Sequence, residues 1–198
     1  MRAVGVLGGS FDPVHYGHLA LARSALRHFS FDPLLLIPAG APPHKSQTVN
    51  APPRHRLAML KRAVAETGLS AEVRDSEMVR AGPSYTIDTL YALRAEFPGR
   101  EICFVIGSDN LAEIITWHRW REILPLTIFC VAHRPGYDLV VPPDLAMATI
   151  RPFPSPEEDV SSSEIRRRLL SGEPCENLAP QSVLSYIKEH GLYRGDGR

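Results

Sequence analysis

The sequence has no surplus of charge of either sign and no long apolar run. Its 198 residues carry 22 Lys plus Arg and 22 Asp plus Glu, so the formal net charge is zero. A zero net charge argues against general attraction to nucleic acid or to an anionic membrane surface. No apolar run approaches the ~18 residues of a membrane-spanning helix, so we expect no membrane partner. Any anion site must therefore be built locally.

Cysteine is scarce, and its placement does not indicate a disulfide framework. The three cysteines, Cys103, Cys130 and Cys175, are far apart and form no CxxC pair. The odd count, and the apolar runs around the first two, predict reduced thiols in a cytoplasmic protein. The first residues reach Gly8 and Asp12 too early for an apolar signal segment, so no signal peptide is expected.

Short apolar runs alternate with helical patterns along the first three quarters of the chain. The runs lie at 3–7, 34–38, 71–73, 102–107, 127–132 and 147–150, and the main helical stripes lie at 19–29, 57–64 and 87–93. This alternation predicts an α/β fold. We expect a Rossmann-like, doubly wound parallel sheet with helices on both faces, because the strands are apolar almost throughout.

The last quarter has a different pattern. A proline cluster at 152–156 predicts a loop. Two helices are then expected, at about 161–171 and 180–190, with no further strand. The chain length suits one domain spanning 1–198, with a helical C-terminal part at about 161–194. The sequence leaves a homo-oligomer open.

The first apolar run is followed by GGSFDPVHYGH, which has the features of a phosphate-binding site. Gly8 and Gly9 allow close approach to the backbone, and a helix begins near Gly17 with its positive dipole end facing the turn. His15 and His18 add imidazoles, which donate hydrogen bonds and become cationic easily beside polyphosphate. Two alternatives remain, a pair of polar surface histidines and half of a zinc site, although no companion ligand has convincing spacing. The dinucleotide fingerprint GxGxxG is absent.

A second anion motif stands at VSSSEIRRRL, residues 160–169. Ser161 and Glu164 fit a capping box, which explains only part of it. Hydroxyls on a first turn, with a guanidinium one turn later, suit an anion. The residues with that pattern are Ser162, Ser163 and Arg166. The next two arginines, at 167 and 168, each step ~100° around the helix and are expected to face solvent or to be structural.

These motifs resemble a known family. The stretch from Gly8 to His18 resembles the HxGH signature of the nucleotidyltransferase superfamily, and residues 160–166 resemble its ISSTxxR motif, with Ser163 in place of threonine. Eight short blocks between residues 5 and 194 resemble bacterial nicotinate-nucleotide adenylyltransferases. The resemblance implies in-line transfer of the adenylyl group of ATP to nicotinate mononucleotide, in NAD biosynthesis, with release of pyrophosphate. Mg²⁺ is expected, bound mainly through ATP phosphates.

The resemblance also implies roles for individual residues. His18 and His15 are the expected catalytic residues. ATP is expected to contact both histidines and Gly8, Gly9, Ser10, Phe11, Gly107, Asp109, Ser162, Ser163 and Arg166. Nicotinate mononucleotide is expected to contact His44, Lys45, Ser84, Tyr85, Thr86, Trp117 and Arg134.

Several of these residues have simpler structural interpretations. Ser84 or Thr86 could cap the helix that follows, and so could Asp109. Trp117 could belong to a core stripe with Trp120, and the loop at 42–45 could be solvated and braced by proline. The C-terminal YIxxxGLY motif is interpreted as packing.

Rival functions are an adenylyltransferase for another acceptor, namely the amidated nucleotide or pantetheine phosphate, and a nucleotide-binding sensor without catalysis. A nucleic-acid-binding module is a remote alternative, because the chain has no basic stripe.

Overall fold

One parallel sheet organises the protein. The computed structural model describes residues 3–41, 50–133, 138–156 and 160–194. Within these ranges six strands pair in the order β3-β2-β1-β4-β5-β6, and every pairing is parallel. The strands are β1 (Val4–Gly9), β2 (Leu34–Pro38), β3 (Glu72–Val73), β4 (Ile102–Gly107), β5 (Ile128–His133) and β6 (Thr149–Pro154). This order confirms the predicted doubly wound, Rossmann-like sheet.

Helices cover both faces of the sheet, as predicted. One face carries α1 (Tyr16–His28), α2 (Pro53–Thr67), α5 (Ser162–Ser171) and α6 (Gln181–Glu189). The other carries α3 (Thr86–Glu96) and the short α4 (Trp120–Ile123). Within the described ranges, no helix is long and apolar enough to cross a bilayer.

The strands are apolar at nearly every position because their side chains pack into two cores, one on each face of the sheet. In β2, Leu34 and Leu36 pack into the core under α1 and α2, whereas Leu35 and Ile37 pack into the core under α3. Because successive strand side chains point to opposite faces, a strand buried on both sides must be apolar at every position.

The boundaries of β1 and β6 differ most from those predicted, and those of β3 and β5 differ by one residue. β1 continues to Gly9 because Gly8 and Gly9 still pair with Ile37 and Pro38. β6 continues to Pro154, so the predicted loop at 152–156 is wrong for its first half. Proline is tolerated there because β6 is an edge strand, with a neighbour on one side only.

The winding places a crevice in the middle of the sheet. The chain winds outward from β1 to β3, and then from β4, beside β1, to β6 at the other edge. At such a reversal, the connections after the two central strands diverge and leave space beyond their carboxyl ends. Functional side chains should therefore follow β1 and β4.

Candidate active site

Two imidazoles lie side by side at the start of α1. His15 occupies the N-cap position in extended conformation, with φ −146° and ψ 172°. One turn later, the ring of His18 lies with its centroid 3.7 Å from that of His15. The three-residue spacing puts both rings on one side of the helix entrance.

Glycine at position 17 allows two chain segments to approach. A Cβ atom there would lie 3.0 Å from Nδ1 of His15 and 3.2 Å from the carbonyl oxygen of Val160. Both distances are tighter than ordinary van der Waals contact. A side chain at Gly17 would therefore displace either the His15 ring or the segment that leads into α5.

Burial keeps His15 uncharged. The residue is 6% exposed, and burial lowers the pKa of its imidazole to about 4. Its Nδ1 atom has no hydrogen-bond partner in the described part of the chain. At pH 7 His15 is therefore neutral in this environment, which differs from the cationic character expected beside polyphosphate. A neutral imidazole still donates one hydrogen bond.

The first turn of α5 contacts the loop before α1 directly. The hydroxyl of Ser162 donates to the carbonyl oxygen of Pro13 at 2.9 Å. One turn later, Arg166 donates from Nη1 to the carbonyl oxygen of Asp12 at 2.6 Å. Two motifs that are about 145 residues apart in the sequence therefore form one surface in the fold.

The remaining side chains at the start of α5 have structural contacts. Ser161 accepts a hydrogen bond from the backbone N–H of Glu164 at 3.2 Å, which confirms half of the predicted capping box. The Glu164 carboxylate does not complete the box, because it pairs with Arg167 at 2.9 Å and Arg168 at 2.7 Å. Ser163 lies beside Ser161, with 3.1 Å between their hydroxyl oxygens.

A cavity of about 490 Å³ opens beyond the carboxyl ends of β1, β2 and β4. Its size suits a small organic ligand. Its lining combines predicted residues from three separate segments. They are Gly8, Gly9 and Ser10, then Ser84, Tyr85 and Thr86, and finally Trp117.

Aromatic rings form much of the cavity wall. The Trp117 ring meets Phe104 edge to face, with 5.7 Å between centroids. Tyr85 stacks on His118, with 4.2 Å between centroids and 28° between ring planes. Sequence reasoning did not identify His118, because a single histidine between two tryptophans carries no distinctive pattern. Flat aromatic walls favour a flat heterocyclic ligand.

Ser84 joins two loops of the cavity. Its Oγ accepts hydrogen bonds from the backbone N–H groups of Gly40 and Ala41, each at 3.0 Å. Helix α3 begins after Tyr85 and has no side-chain cap, so the capping interpretation of this segment is wrong.

Glu77 supports the same wall and was not predicted. Its carboxylate accepts a hydrogen bond from the hydroxyl of Thr89 at 2.6 Å. Burial raises the pKa of Glu77, and the hydrogen bond from Thr89 opposes that shift.

Phe11, Gly107 and Asp109 are predicted site residues that do not line this cavity. Phe11 is fully buried beneath the His18 ring, with 4.9 Å between centroids, so it could contact ATP only through its backbone. Gly107 ends β4, and the Asp109 side chain folds back toward it. Three predicted residues, His44, Lys45 and Arg134, lie outside the residues that the structure describes.

Three further side chains that sequence reasoning missed surround the turn before α1. Asp12 is 1% exposed and Arg56 is fully buried. Tyr193, after the last helix, reaches the carboxylate of Asp12 at 2.7 Å. A signal for Arg56 was present, because it stands in the buried stripe of α2 with Met59, Leu60 and Ala63. A charged residue on an apolar face requires partners.

Comparison with known proteins finds full-length relatives. The sequence model of the cytidylyltransferase-like family matches residues 6–168. A protein of Bacillus subtilis named nicotinate-nucleotide adenylyltransferase is 37% identical, over 98% of this chain and 99% of its own. A protein of Chromobacterium violaceum named probable nicotinate-nucleotide adenylyltransferase is 40% identical, over 96% of this chain and 98% of its own.

Solved structures share the fold at lower identity. Nicotinic acid mononucleotide adenylyltransferase of Plasmodium falciparum, complexed with NaAD, superposes with a TM-score of 0.81 at 19% identity. The comparison covers 98% of each chain. The same protein complexed with APC gives a TM-score of 0.77 at 18% identity and the same coverage.

Proposed function

The chain belongs to the nicotinate-nucleotide adenylyltransferases of the cytidylyltransferase-like family, and from that membership we propose how its site carries out the reaction. The enzyme joins ATP and nicotinate mononucleotide, forming nicotinate adenine dinucleotide and pyrophosphate. One observation carries the proposal: Ser162 and Arg166 contact the turn that bears His15 and His18. One triphosphate can therefore span both motifs.

Chemistry in this site needs no protein nucleophile. The phosphate of the mononucleotide is already anionic at neutral pH, and one of its oxygens attacks the α-phosphorus of ATP. As that bond forms, the bond from the α-phosphorus to the oxygen bridging to the β-phosphorus breaks, and pyrophosphate leaves with the electron pair. No proton transfer is required. Catalysis then consists of positioning and of stabilising the charge that develops.

Residues of the first turn and of α5 contact different phosphate groups of ATP. His18 donates a hydrogen bond to the α-phosphate as its charge develops. His15, Ser162, Ser163 and Arg166 hold the leaving pyrophosphate, and Lys45 neutralises part of its charge. Because His15 is buried and neutral, it orients the pyrophosphate through a hydrogen bond and does not neutralise its charge. The N-terminus of α1 adds its dipole.

The acceptor lies in the aromatic cavity. Trp117 stacks on the pyridine ring, and the entrance of α3 at Ser84, Tyr85 and Thr86 receives the nicotinate carboxylate. Gly107 and Asp109, at the end of β4, lie toward the adenosine ribose. His44 and Arg134 complete the contacts to the nucleotide phosphates. The cavity borders Gly8 and Gly9, so an acceptor placed there has its phosphate close to the first turn.

Mg²⁺ would be held mainly by the phosphate oxygens of ATP. Among the residues described, no group of three or more His, Cys, Asp or Glu side chains could hold a metal ion. Asp12 is engaged by backbone N–H groups and by Tyr193. When bound, the ion would neutralise charge on the departing pyrophosphate.

Pyrophosphate release with three acceptors tests the proposal. Purified enzyme is assayed with ATP, Mg²⁺ and either nicotinate mononucleotide, nicotinamide mononucleotide or pantetheine phosphate. The expected result is fastest release with nicotinate mononucleotide. Faster release with another acceptor would overturn the assignment of the acceptor. Binding of ATP without release for any acceptor would instead identify a nucleotide sensor.

A further inference from the structure

The C-terminal segment after α6 contacts the turn between β1 and α1, residues 10–15, which is the phosphate turn of the proposed function. After α6, Gly191 and Tyr193 both adopt positive φ, 60° and 58°, and turn the chain back toward the sheet. The Tyr193 hydroxyl donates to Oδ1 of Asp12 at 2.7 Å, across 181 residues of sequence. Positive φ is uncommon for a bulky residue, so the surrounding structure must hold Tyr193 in place.

Hydrogen bonds to Asp12 link four separate segments of the chain. Its Oδ2 accepts the backbone N–H of Asn50 at 2.7 Å, and its Oδ1 accepts that of Ala51 at 2.9 Å. The carbonyl oxygen of Asp12 holds Arg166, whose Nη1 also lies 3.7 Å from Oδ2. Asp12 thus connects the first turn, the residues before α2, the first turns of α5 and the C-terminal tail.

A buried arginine fixes the backbone around Asp12. Arg56 donates to the carbonyl oxygens of Ala51 at 3.0 Å, Ser10 at 2.8 Å and Gly40 at 3.0 Å. Arg56 therefore holds the backbone of the segments that surround Asp12. The Asp12 side chain itself is held by the N–H groups of Asn50 and Ala51 and by the Tyr193 hydroxyl, which is its side-chain donor from the C-terminal tail.

Tyr193 keeps its proton at every ordinary pH. Burial raises its pKa, and the Asp12 carboxylate raises it further. A protonated phenol donates to a carboxylate, and hydrogen bonds with a charged partner are stronger than neutral ones. In this contact the phenol is therefore the donor and the carboxylate the acceptor.

We propose that Tyr193 is a positioning residue for the phosphate site, which fixes the Asp12 carboxylate so that Arg166 faces the pyrophosphate of ATP. The inference rests on the function proposed above. Without the hydroxyl, the buried carboxylate lacks one donor. Among the described residues, Arg166 pairs with Asp12, with Nη1 lying 3.7 Å from Oδ2. Closer pairing with Asp12 would turn the guanidinium away from the triphosphate.

The substitution Tyr193→Phe tests the inference, with Tyr186→Phe as its matched control. Tyr186 also lies in the C-terminal part, and its hydroxyl lies 3.0 Å from Nδ1 of His55. Both changes remove one hydrogen-bonded hydroxyl and keep the ring. For Tyr193→Phe we expect kcat/KM for ATP to fall about tenfold, mostly through KM. For Tyr186→Phe we expect kinetics within about twofold of the parent enzyme.

A double-mutant cycle with Arg166→Ala separates positioning from general destabilisation. If Tyr193 acts through Arg166, Tyr193→Phe should change kcat/KM less than about twofold in the Arg166→Ala enzyme. Full additivity of the two changes, or parent kinetics in Tyr193→Phe alone, would overturn the inference. The parent enzyme is assayed alongside, because absence of its pyrophosphate release would count against the proposed function and not against Tyr193.

Discussion

The two histidines at the start of α1 differ in environment, although they are one turn apart. His15 is buried and has a pKa of about 4, whereas His18 lies over Phe11 at the helix entrance. Their centroids are 3.7 Å apart and their planes are tilted by 36°, so the two rings pack against each other. We therefore propose different roles for the two histidines, in which one imidazole orients phosphate and the other responds to the developing charge.

Removal of the His18 imidazole should slow the reaction. The change His18→Ala is expected to lower kcat by ~10²–10³, because it removes a donor to charge in the transition state. His28→Ala is the control, since it removes an exposed imidazole from the other end of the same helix. Steady-state pyrophosphate release measures both. A nearly normal kcat for His18→Ala would refute the assigned role.

Burial of neutral His15 should make stability depend on pH. Its pKa falls from 6.5 to about 4 on folding, so the unfolded chain binds the proton first. The contribution of His15 is complete above pH 6.5 and is lost as the pH falls toward 4. Between pH 6.5 and 5 the loss should be roughly 1–2 kcal/mol.

Urea unfolding at pH 6.5 and pH 5 measures that loss. His15→Asn is the comparison, because asparagine does not titrate and is favoured at an N-cap. We expect the free energy of unfolding to fall less for His15→Asn than for the parent protein over this interval. Equal losses in the two proteins would show that His15 does not titrate as its burial requires.

Helix α6 is fastened at its N-terminus by a carboxylate from another helix. Glu66, in α2, accepts the backbone N–H groups of Gln181 at 3.1 Å and Ser182 at 2.7 Å. These are groups that a helix cannot satisfy itself, and a negative charge there also favours the dipole. The segment that carries Tyr193 follows directly after this helix.

Loss of that carboxylate should destabilise the protein. Glu66→Ala is expected to cost about 0.5–2 kcal/mol, the usual range for loss of an N-terminal cap. Glu176→Ala, an exposed carboxylate elsewhere in the C-terminal part, should change stability by less than about 0.5 kcal/mol. Thermal denaturation of the two variants provides the comparison. Equal melting temperatures would mean that Glu66 does not support α6.

Sequence reasoning predicted elements better than contacts. The bounds of β2 and β4 agree with the prediction, because an apolar run between polar turns specifies a buried strand. β6 was predicted too short because proline is compatible with an edge strand, and edge position is a property of the assembled sheet.

The candidate site shows the same limit more clearly. The types and spacing of His15, His18, Ser162 and Arg166 were sufficient to predict two anion motifs. The contact between Tyr193 and Asp12 could not be inferred, because the two residues are 181 positions apart and no local pattern marks the pair. The alternative of a helix cap at Ser84 was open in the sequence because its acceptor contacts, with Gly40 and Ala41, are also long-range.

Topology explains why distant motifs meet. The order β3-β2-β1-β4-β5-β6 puts the two central strands side by side, and the chain then returns through β6 to bring α5 against the loop after β1. The cavity and the turn after β1 both lie at the carboxyl ends of these strands. The fold thus brings together the segments of the candidate site, which are separate in sequence.

The central claim is that one triphosphate is held by both anion motifs at once. A crystal structure of the enzyme with an ATP analogue that cannot transfer its adenylyl group tests this directly. We expect the phosphate chain to lie within hydrogen-bond distance of His18 and, in the same molecule, of Ser162 or Arg166. Phosphates that contact only one of the two motifs, with the other facing solvent, would contradict the account.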